Sequence, residues 1–175
     1  EQEFTTEQED FCLSTLLEDS LSPFLSRASN MGIKFSIECS KRDRRIWFGP
    51  ARGIRTVLTL LLKNVRPFSE VFIGMCGTEG DSCLRLTFLV NKPVAYSMNS
   101  DDNPYYGNES VISLCSGYIE QMGSVLGREE LSDGGFRIWA DIPVESVDLP
   151  ELSTEATRNC VVIAATEKTG LARIW

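Results

Sequence analysis

Asn64, near the end of a predicted amphipathic helix, is the residue best placed to do chemistry. Apolar residues recur at three- and four-residue spacing from Ile54 to Val65, which predicts a helix with one buried face. Pro50 suits the first helical position, and Pro67 ends the run. Because Asn64 is strongly polar, uncharged and close to the apolar face, we expect it either at a binding site or in a satisfied hydrogen-bond network.

Other chemistries are excluded by residues that the sequence lacks. It contains no histidine, which excludes a histidine general base, a Ser-His or Cys-His pair and a phosphate-accepting histidine within this segment, and argues against zinc. We therefore predict no catalytic residue and no metal-ligand set. The cysteines have no CxxC spacing and mostly lie in apolar runs, so we expect reduced, packed thiols in an intracellular protein. They are Cys12, Cys39, Cys76, Cys83, Cys115 and Cys160.

Charge and length limit the class of protein. The net charge of −8 argues against a nucleic-acid surface, and the basic cluster 41–45 is short enough to be an exposed turn. No apolar run reaches the roughly 18 residues that a membrane-spanning helix needs, so no direct membrane contact is expected. At 175 residues, one core is expected.

The periodicity along the chain predicts the fold. A helix from Phe11 ends at Gly32, and a strand follows at 33–40, with 46–48 paired to it or nearby. After the Asn64 helix come a hairpin, a polar loop or lid at 92–108, a helix capped by Asn108, and a last hairpin. The hairpin strands are 70–77 with 82–91, and 125–129 with 135–144. This order predicts an α/β two-layer sandwich, in which a mixed sheet is covered on one face by about three helices.

Composition predicts three parts in the chain. Residues 1–144 form the main domain, and the acidic, aperiodic stretch 145–158 is a linker. An apolar strand pattern within 159–175 predicts the start of a second, truncated domain.

Several of these motifs resemble the ATP-binding, Bergerat-type domain of sensor histidine kinases, over about residues 11 to 144. The stretch 60–69, Leu-Leu-Leu-Lys-Asn-Val-Arg-Pro-Phe-Ser, is similar to that family's N-box, Asn-Leu-Leu-x-Asn-Ala-x-Lys-Phe-Thr. The helix from Phe11 resembles the family's opening helix, and Ala28 to Ile33 resembles its turn into the first strand. The resemblance implies the histidine-kinase ATPase-like fold and a role in two-component signal transduction.

The departures from the family pattern fall on its nucleotide-binding residues. Asn64 matches the N-box asparagine that helps to hold magnesium, but the first asparagine is Leu60 and the lysine is Pro67. The adenine-reading Asp-x-Gly-x-Gly corresponds to 91–95, Asn-Lys-Pro-Val-Ala, and the second glycine box corresponds to 109–112, Glu-Ser-Val-Ile. Valine and isoleucine do not readily adopt phosphate-loop angles, and Glu109 places a negative charge where an anion should bind.

Each loss is expected to cost about 1 to 3 kcal/mol, so together they should weaken ATP binding by several powers of ten. We therefore expect no cofactor, and ATP with magnesium at Asn64 only if nucleotide binding is retained. Without such a site, Asn64 is expected to bond a preceding carbonyl or a neighbouring loop.

Three hypotheses follow from the resemblance. The first is a pseudokinase-type regulatory or interaction module of a hybrid sensor histidine kinase. The second is a divergent but active kinase domain, in which Asn64, Asn91 and Asp101 or Asp102 hold the nucleotide and Tyr105 or Tyr106 stacks on its base. The third is a phosphotransfer adaptor that docks a response regulator.

The expected partners are the kinase or response-regulator domains of a phosphorelay, with a dimer in the full-length protein and a cytoplasmic location for this segment. Residues 159–175 resemble the opening strand and helix of a receiver domain, with Ala164 and Ala165 in place of its acidic pair.

Overall fold

Two sheets and three helices make up the part of the chain that the computed structural model describes, residues 7–39, 45–78, 80, 82–91, 109–132 and 135–147. In chain order the elements are β1 Glu9–Phe11, α1 Leu13–Asn30, β2 Lys34–Cys39, β3 Ile46–Gly49, α2 Ala51–Lys63, β4 Glu70–Gly77, β5 Cys83–Asn91, α3 Glu109–Gln121, β6 Gly127–Glu130, β7 Phe136–Pro143 and β8 Glu145–Val147.

The larger sheet has five strands in the order β2-β4-β5-β7-β6. Strand β2 runs parallel to β4, and the other neighbours are antiparallel. Both predicted hairpins are therefore confirmed, β4 with β5 and β6 with β7. Residues of alternate positions are buried on one face, as the period of a strand requires. Examples from its strands are Phe35, Ile73, Phe88 and Ile138.

All three helices pack on that buried face. Helix α2 lies between the other two and contacts both. Its predicted apolar positions are buried: Ile54, Val57, Leu58, Leu61 and Leu62. The α/β sandwich predicted from the sequence, with a mixed sheet and three helices, is confirmed.

Glycines end the first and third helices, as the sequence predicts. Gly32 follows α1 with a φ of +62°, and Gly123 follows α3 with a φ of +80°. A side chain at Gly32 would also meet the Phe68 ring, since a Cβ built there lies 2.8 Å from the ring Cδ1. Phe68 itself has a φ of +62°, which is uncommon for a bulky residue. Its ring thus covers the Gly32 turn from a strained backbone position.

The second sheet corrects three sequence-based expectations. It has the order β1-β3-β8, so β3 pairs with β1 and β8 rather than with β2. Phe11 belongs to strand β1, opposite Trp47, and not to the first helix. Residues 145–147, predicted as the start of a linker, form β8 along β3. Strands of three or four residues carry too little periodicity to be recognised, and only their pairing stabilises them.

Several sequence-based predictions lie outside the described residues. They are most of the basic cluster, residues 41–44, the loop or lid 92–108 with its tyrosines and the Asn108 cap, and residues 148–175 with the remaining linker, Cys160 and the receiver-like start. No helix of the described part is long and apolar enough to cross a membrane.

Candidate functional site

Asn64 lies at the carboxyl end of α2, where its own side chain closes the helix. The side-chain Nδ2 donates a 2.7 Å hydrogen bond to the carbonyl of Leu60, and the backbone N–H donates to the carbonyl of Leu61 at 3.1 Å. The residue is exposed. The expectation that Asn64 bonds a preceding carbonyl is therefore confirmed. The last carbonyls of a helix lack partners within it, so this contact is a helix-ending one.

Leu60 lies one turn before Asn64, at the edge of the packed interior. It is partly buried and packs against the hydrophobic core. An asparagine at this position would bring a polar amide to that contact, whereas leucine extends the apolar face of α2 by one residue. The end of α2 therefore offers one amide side chain, and that amide donates to its own helix.

Asn91 lies on the opposite side of the sheet from the helices. It is aligned with Glu70 on β4, which is aligned in turn with Lys34 on β2. Lys34 and Glu70 form an exposed ion pair at 3.3 Å, so this row of residues is on the uncovered face. On this face Lys34, Glu70 and Asn91 help to line a shallow groove of about 190 Å³.

The structure therefore does not bring Asn91 and Asn64 together, because Asn64 ends a helix on the other side. Adjacent strand residues point to opposite faces, and the residue next to Asn91 that faces the helices is Val90, which is fully buried. An aliphatic side chain thus occupies the strand position nearest to the helix layer.

The first turn of α3 carries an ion pair that the sequence analysis missed. Nη1 of Arg128, on β6, lies 3.1 Å from the Oε1 of Glu109, and Nη2 lies 3.6 Å from the Oε1 of Glu130. The Arg128 side chain is only 25% exposed. The sequence shows the charge of Glu109, but its partner is 19 residues away on another element. No local pattern could have revealed the pair.

A helix amino terminus attracts anions because its first N–H groups lack partners within the helix. At α3 the carboxylate of Glu109 supplies that negative charge from within the chain, and Arg128 holds it there. A phosphate approaching this end would meet Glu109 as a like charge.

The cysteines of the described residues form no disulfide, in agreement with the predicted reduced state, but their burial differs. Cys115 on α3 is buried, and this burial raises the pKa of its thiol to about 11. Cys76 on β4 is exposed, which the sequence analysis did not predict. The pKa of Cys12 is lowered, mainly by the hydroxyl of Thr15, 2.8 Å from its Sγ. Among the residues that the structure covers, no group of three or more cysteine, aspartate or glutamate side chains is placed to hold a metal ion.

Comparison with solved structures identifies the fold. The nucleotide-free catalytic domain of histidine kinase ThkA matches with a TM-score of 0.62 and 17% sequence identity, covering 81% of this chain and 99% of that domain. ThkA in complex with the response regulator protein TrrA matches at 0.60 and 17%, covering 78% of this chain and 41% of that one. Full-length ShkA in complex with AMPPNP matches at 0.60 and 15%, covering 83% and 33%.

The chain has the fold of histidine kinase catalytic domains, and the resemblance inferred from its motifs is confirmed at that level. No protein-family profile matches the sequence. No curated protein matches it significantly. The likeness thus lies in the arrangement of helices and strands, and not in the sequence.

Proposed function

We propose that this domain is a degenerate ATP-binding domain that acts as a regulatory or interaction module of a sensor histidine kinase in two-component signalling. The observation that carries the proposal is the ion pair between Glu109 and Arg128 at the amino terminus of α3. It puts a carboxylate at the helix end where, by the resemblance, a glycine box should receive phosphate.

Two further observations support the loss of nucleotide binding. Leu60 packs against the core, and Asn64 donates to the Leu60 carbonyl. On strand β5, buried Val90 faces the helices, while the polar Asn91 is on the opposite face. The retained features are the apolar contacts that build the sandwich, and the altered ones are the polar positions of a nucleotide site.

Isothermal titration calorimetry with ATP and magnesium tests the proposal directly. We expect binding no tighter than the millimolar range, because several favourable contacts of about 1 to 3 kcal/mol each are absent. Binding in the micromolar range would overturn the assignment and favour the divergent active kinase. Circular dichroism of the same sample establishes that the chain is folded.

Two matched variants test whether ATP binding is prevented by the charge of Glu109 alone or by the absence of several binding residues. Glu109→Gln removes the carboxylate at the start of α3, and Glu129→Gln removes one on β6 that pairs with Arg137 instead. We expect neither variant to bind ATP at micromolar concentrations, because Leu60 and Val90 are unchanged. Micromolar binding by Glu109→Gln alone would contradict the proposal, since the site would then be intact apart from one charge.

The proposed partners are kinase or response-regulator domains of the same phosphorelay, in the cytoplasm and within a dimeric full-length protein. The complex of ThkA with TrrA supports this choice, because a protein with the same fold has been captured with a response regulator. Co-purification of the full-length protein with its receiver domains tests the partner class. A full-length protein that is monomeric and retains no such domain would contradict it.

A further inference from the structure

The uncovered face of the five-stranded sheet neutralises its own charges. Its exposed cations each have a carboxylate partner on an adjacent strand. Arg137 also lies 5.2 Å from the centroid of the Trp139 ring. The pairs are Lys34–Glu70, Arg85–Asp141 and Arg137–Glu129. Such a surface needs no external partner for its charges.

The outer face of the three-stranded sheet has a different composition. Asp10 on β1, Phe48 on β3 and Glu145 on β8 lie side by side in one row. Ile46 and Val147 form a second, apolar row beside it. Phe48 is 37% exposed and Val147 38%. We call these five residues the acidic-aromatic face.

The inner side of the same strands explains why these residues face outward. Trp47, between Ile46 and Phe48, is fully buried, and alternate strand residues point to opposite sides. Neither Asp10 nor Glu145 forms an ion pair within the described part of the chain. The acidic-aromatic face therefore combines exposed apolar groups with two carboxylates that form no ion pair among the described residues.

We propose that the acidic-aromatic face binds a polypeptide partner that presents a lysine or arginine next to an aliphatic residue. Neighbouring strands are about 4.8 Å apart, so the two carboxylate-bearing positions flank Phe48 and are about 10 Å from each other. A cation placed over the Phe48 ring lies within the roughly 6 Å of a cation–π contact and within reach of both acids. The aliphatic neighbour packs on Ile46 and Val147.

Charge complementarity selects a basic partner over a second copy of this chain. The chain carries a net charge of −8, and two acidic-aromatic faces brought together would place four carboxylates in one interface. A basic segment instead neutralises Asp10 and Glu145 while its aliphatic side chain covers the exposed apolar row.

Fluorescence anisotropy with a labelled probe peptide of alternating arginine and leucine tests the proposal on the whole chain. We expect saturable binding that weakens as salt is raised, and no binding of the matching peptide of glutamate and leucine. The double variant Asp10→Asn, Glu145→Gln should weaken binding about five- to tenfold. Phe48→Leu keeps an apolar side chain but removes the ring, and should weaken binding about two- to fivefold.

A matched control is the double variant Glu70→Gln, Glu129→Gln, which makes the same charge change on the five-stranded sheet. It should bind the probe like the original chain. An equal loss of affinity in this control would show that probe binding depends only on net charge, and it would overturn the proposal. Absence of probe binding at low salt would also overturn the proposal. So would self-association of the original chain, if the Phe48→Leu variant no longer self-associates.

Discussion

The buried interface between the helices and the five-stranded sheet differs sharply from the end of the helix layer where α2 stops and α3 starts. At the interface, apolar positions of α2 such as Leu58 are fully buried. At the other end, Asn64 bonds its own helix and Glu109 is held by Arg128. The comparison teaches that the apolar face of a helix can specify the packing of a domain whatever the polar residues at the end of that helix bind, because burial of the face depends only on its apolar positions.

The strongest test of this comparison is a cavity in the interface. Leu58→Ala should lower the free energy of unfolding by about 2 to 5 kcal/mol, because it removes fully buried methyl groups from a packed core. Urea denaturation followed by circular dichroism measures the change. The neighbouring Thr59→Ala is the control and should change stability by less than about 0.5 kcal/mol. Equal effects at both positions would contradict the assigned packing.

Overfilling the contact between α2 and α3 should have the next largest effect. A Cβ built at Gly53 lies 2.5 Å from the Met122 Sδ, the far end of a flexible side chain, so Gly53→Ala displaces that thioether and should leave the domain about 1 kcal/mol less stable than an alanine with open space around it. Gly117 on α3 has no neighbouring atom within 4 Å of a Cβ, which makes Gly117→Ala the matched control. It should stabilise the domain by about 0.5 to 1 kcal/mol through helix propensity. Thermal melts that rank the two alanines the other way would argue against this helix contact.

A smaller effect is expected at the polar end of the comparison. Asn64→Ala should cost about 0.5 to 1 kcal/mol, because it removes one exposed hydrogen bond to the Leu60 carbonyl. If Asn64 has only this role, the substitution lowers the free energy of unfolding but does not change any weak ATP binding measured by calorimetry. A measurable loss of ATP or magnesium binding in the calorimeter would instead assign Asn64 to a retained site.

The smallest effect concerns an ion pair on the uncovered face of the sheet. Arg85 donates two hydrogen bonds of 2.7 Å to the carboxylate of Asp141, and these lower the pKa of that carboxyl. A lowered folded-state pKa means that the contribution to stability is complete above about pH 4, where the unfolded aspartate is ionised, and is lost as the pH falls further. Both side chains are about half exposed, so solvent screening keeps the contribution small.

Asp141→Asn is the variant that tests this pH dependence. Its stability relative to the original chain should be lower at neutral pH, and the difference should shrink as the pH falls below about 4. Chemical denaturation at a series of pH values measures the two curves. A difference that stays constant across the series would show that Asp141 does not act through its ionisation.

Long periodic segments could be predicted from the sequence because each carries its own evidence. The apolar positions of α2 and the alternation of β4, β5 and β7 indicate burial directly, so the sandwich and its hairpins followed from local patterns. The departures of Leu60 and Pro67 from the N-box pattern were equally visible, because a sequence can be compared with a motif residue by residue.

Short strands and distant contacts could not be predicted in this way. Strands β1 and β8 have three residues each, too few to show a period, and both are strands because β3 lies between them. The residue opposite Asn91, Glu70, depends on the register of β5 with β4, which no local pattern reveals.

The sequence by itself thus determined the helices, the long strands and the chemical identity of each position that departs from the motif. Only the tertiary structure decided which residues come together: Arg128 forms an ion pair with Glu109, and Phe48 lies between Asp10 and Glu145 in one row of the small sheet. The physical reason is that periodicity reports burial along one element, whereas a site is built from residues of several elements, and their separation in space depends on strand order, register and helix packing.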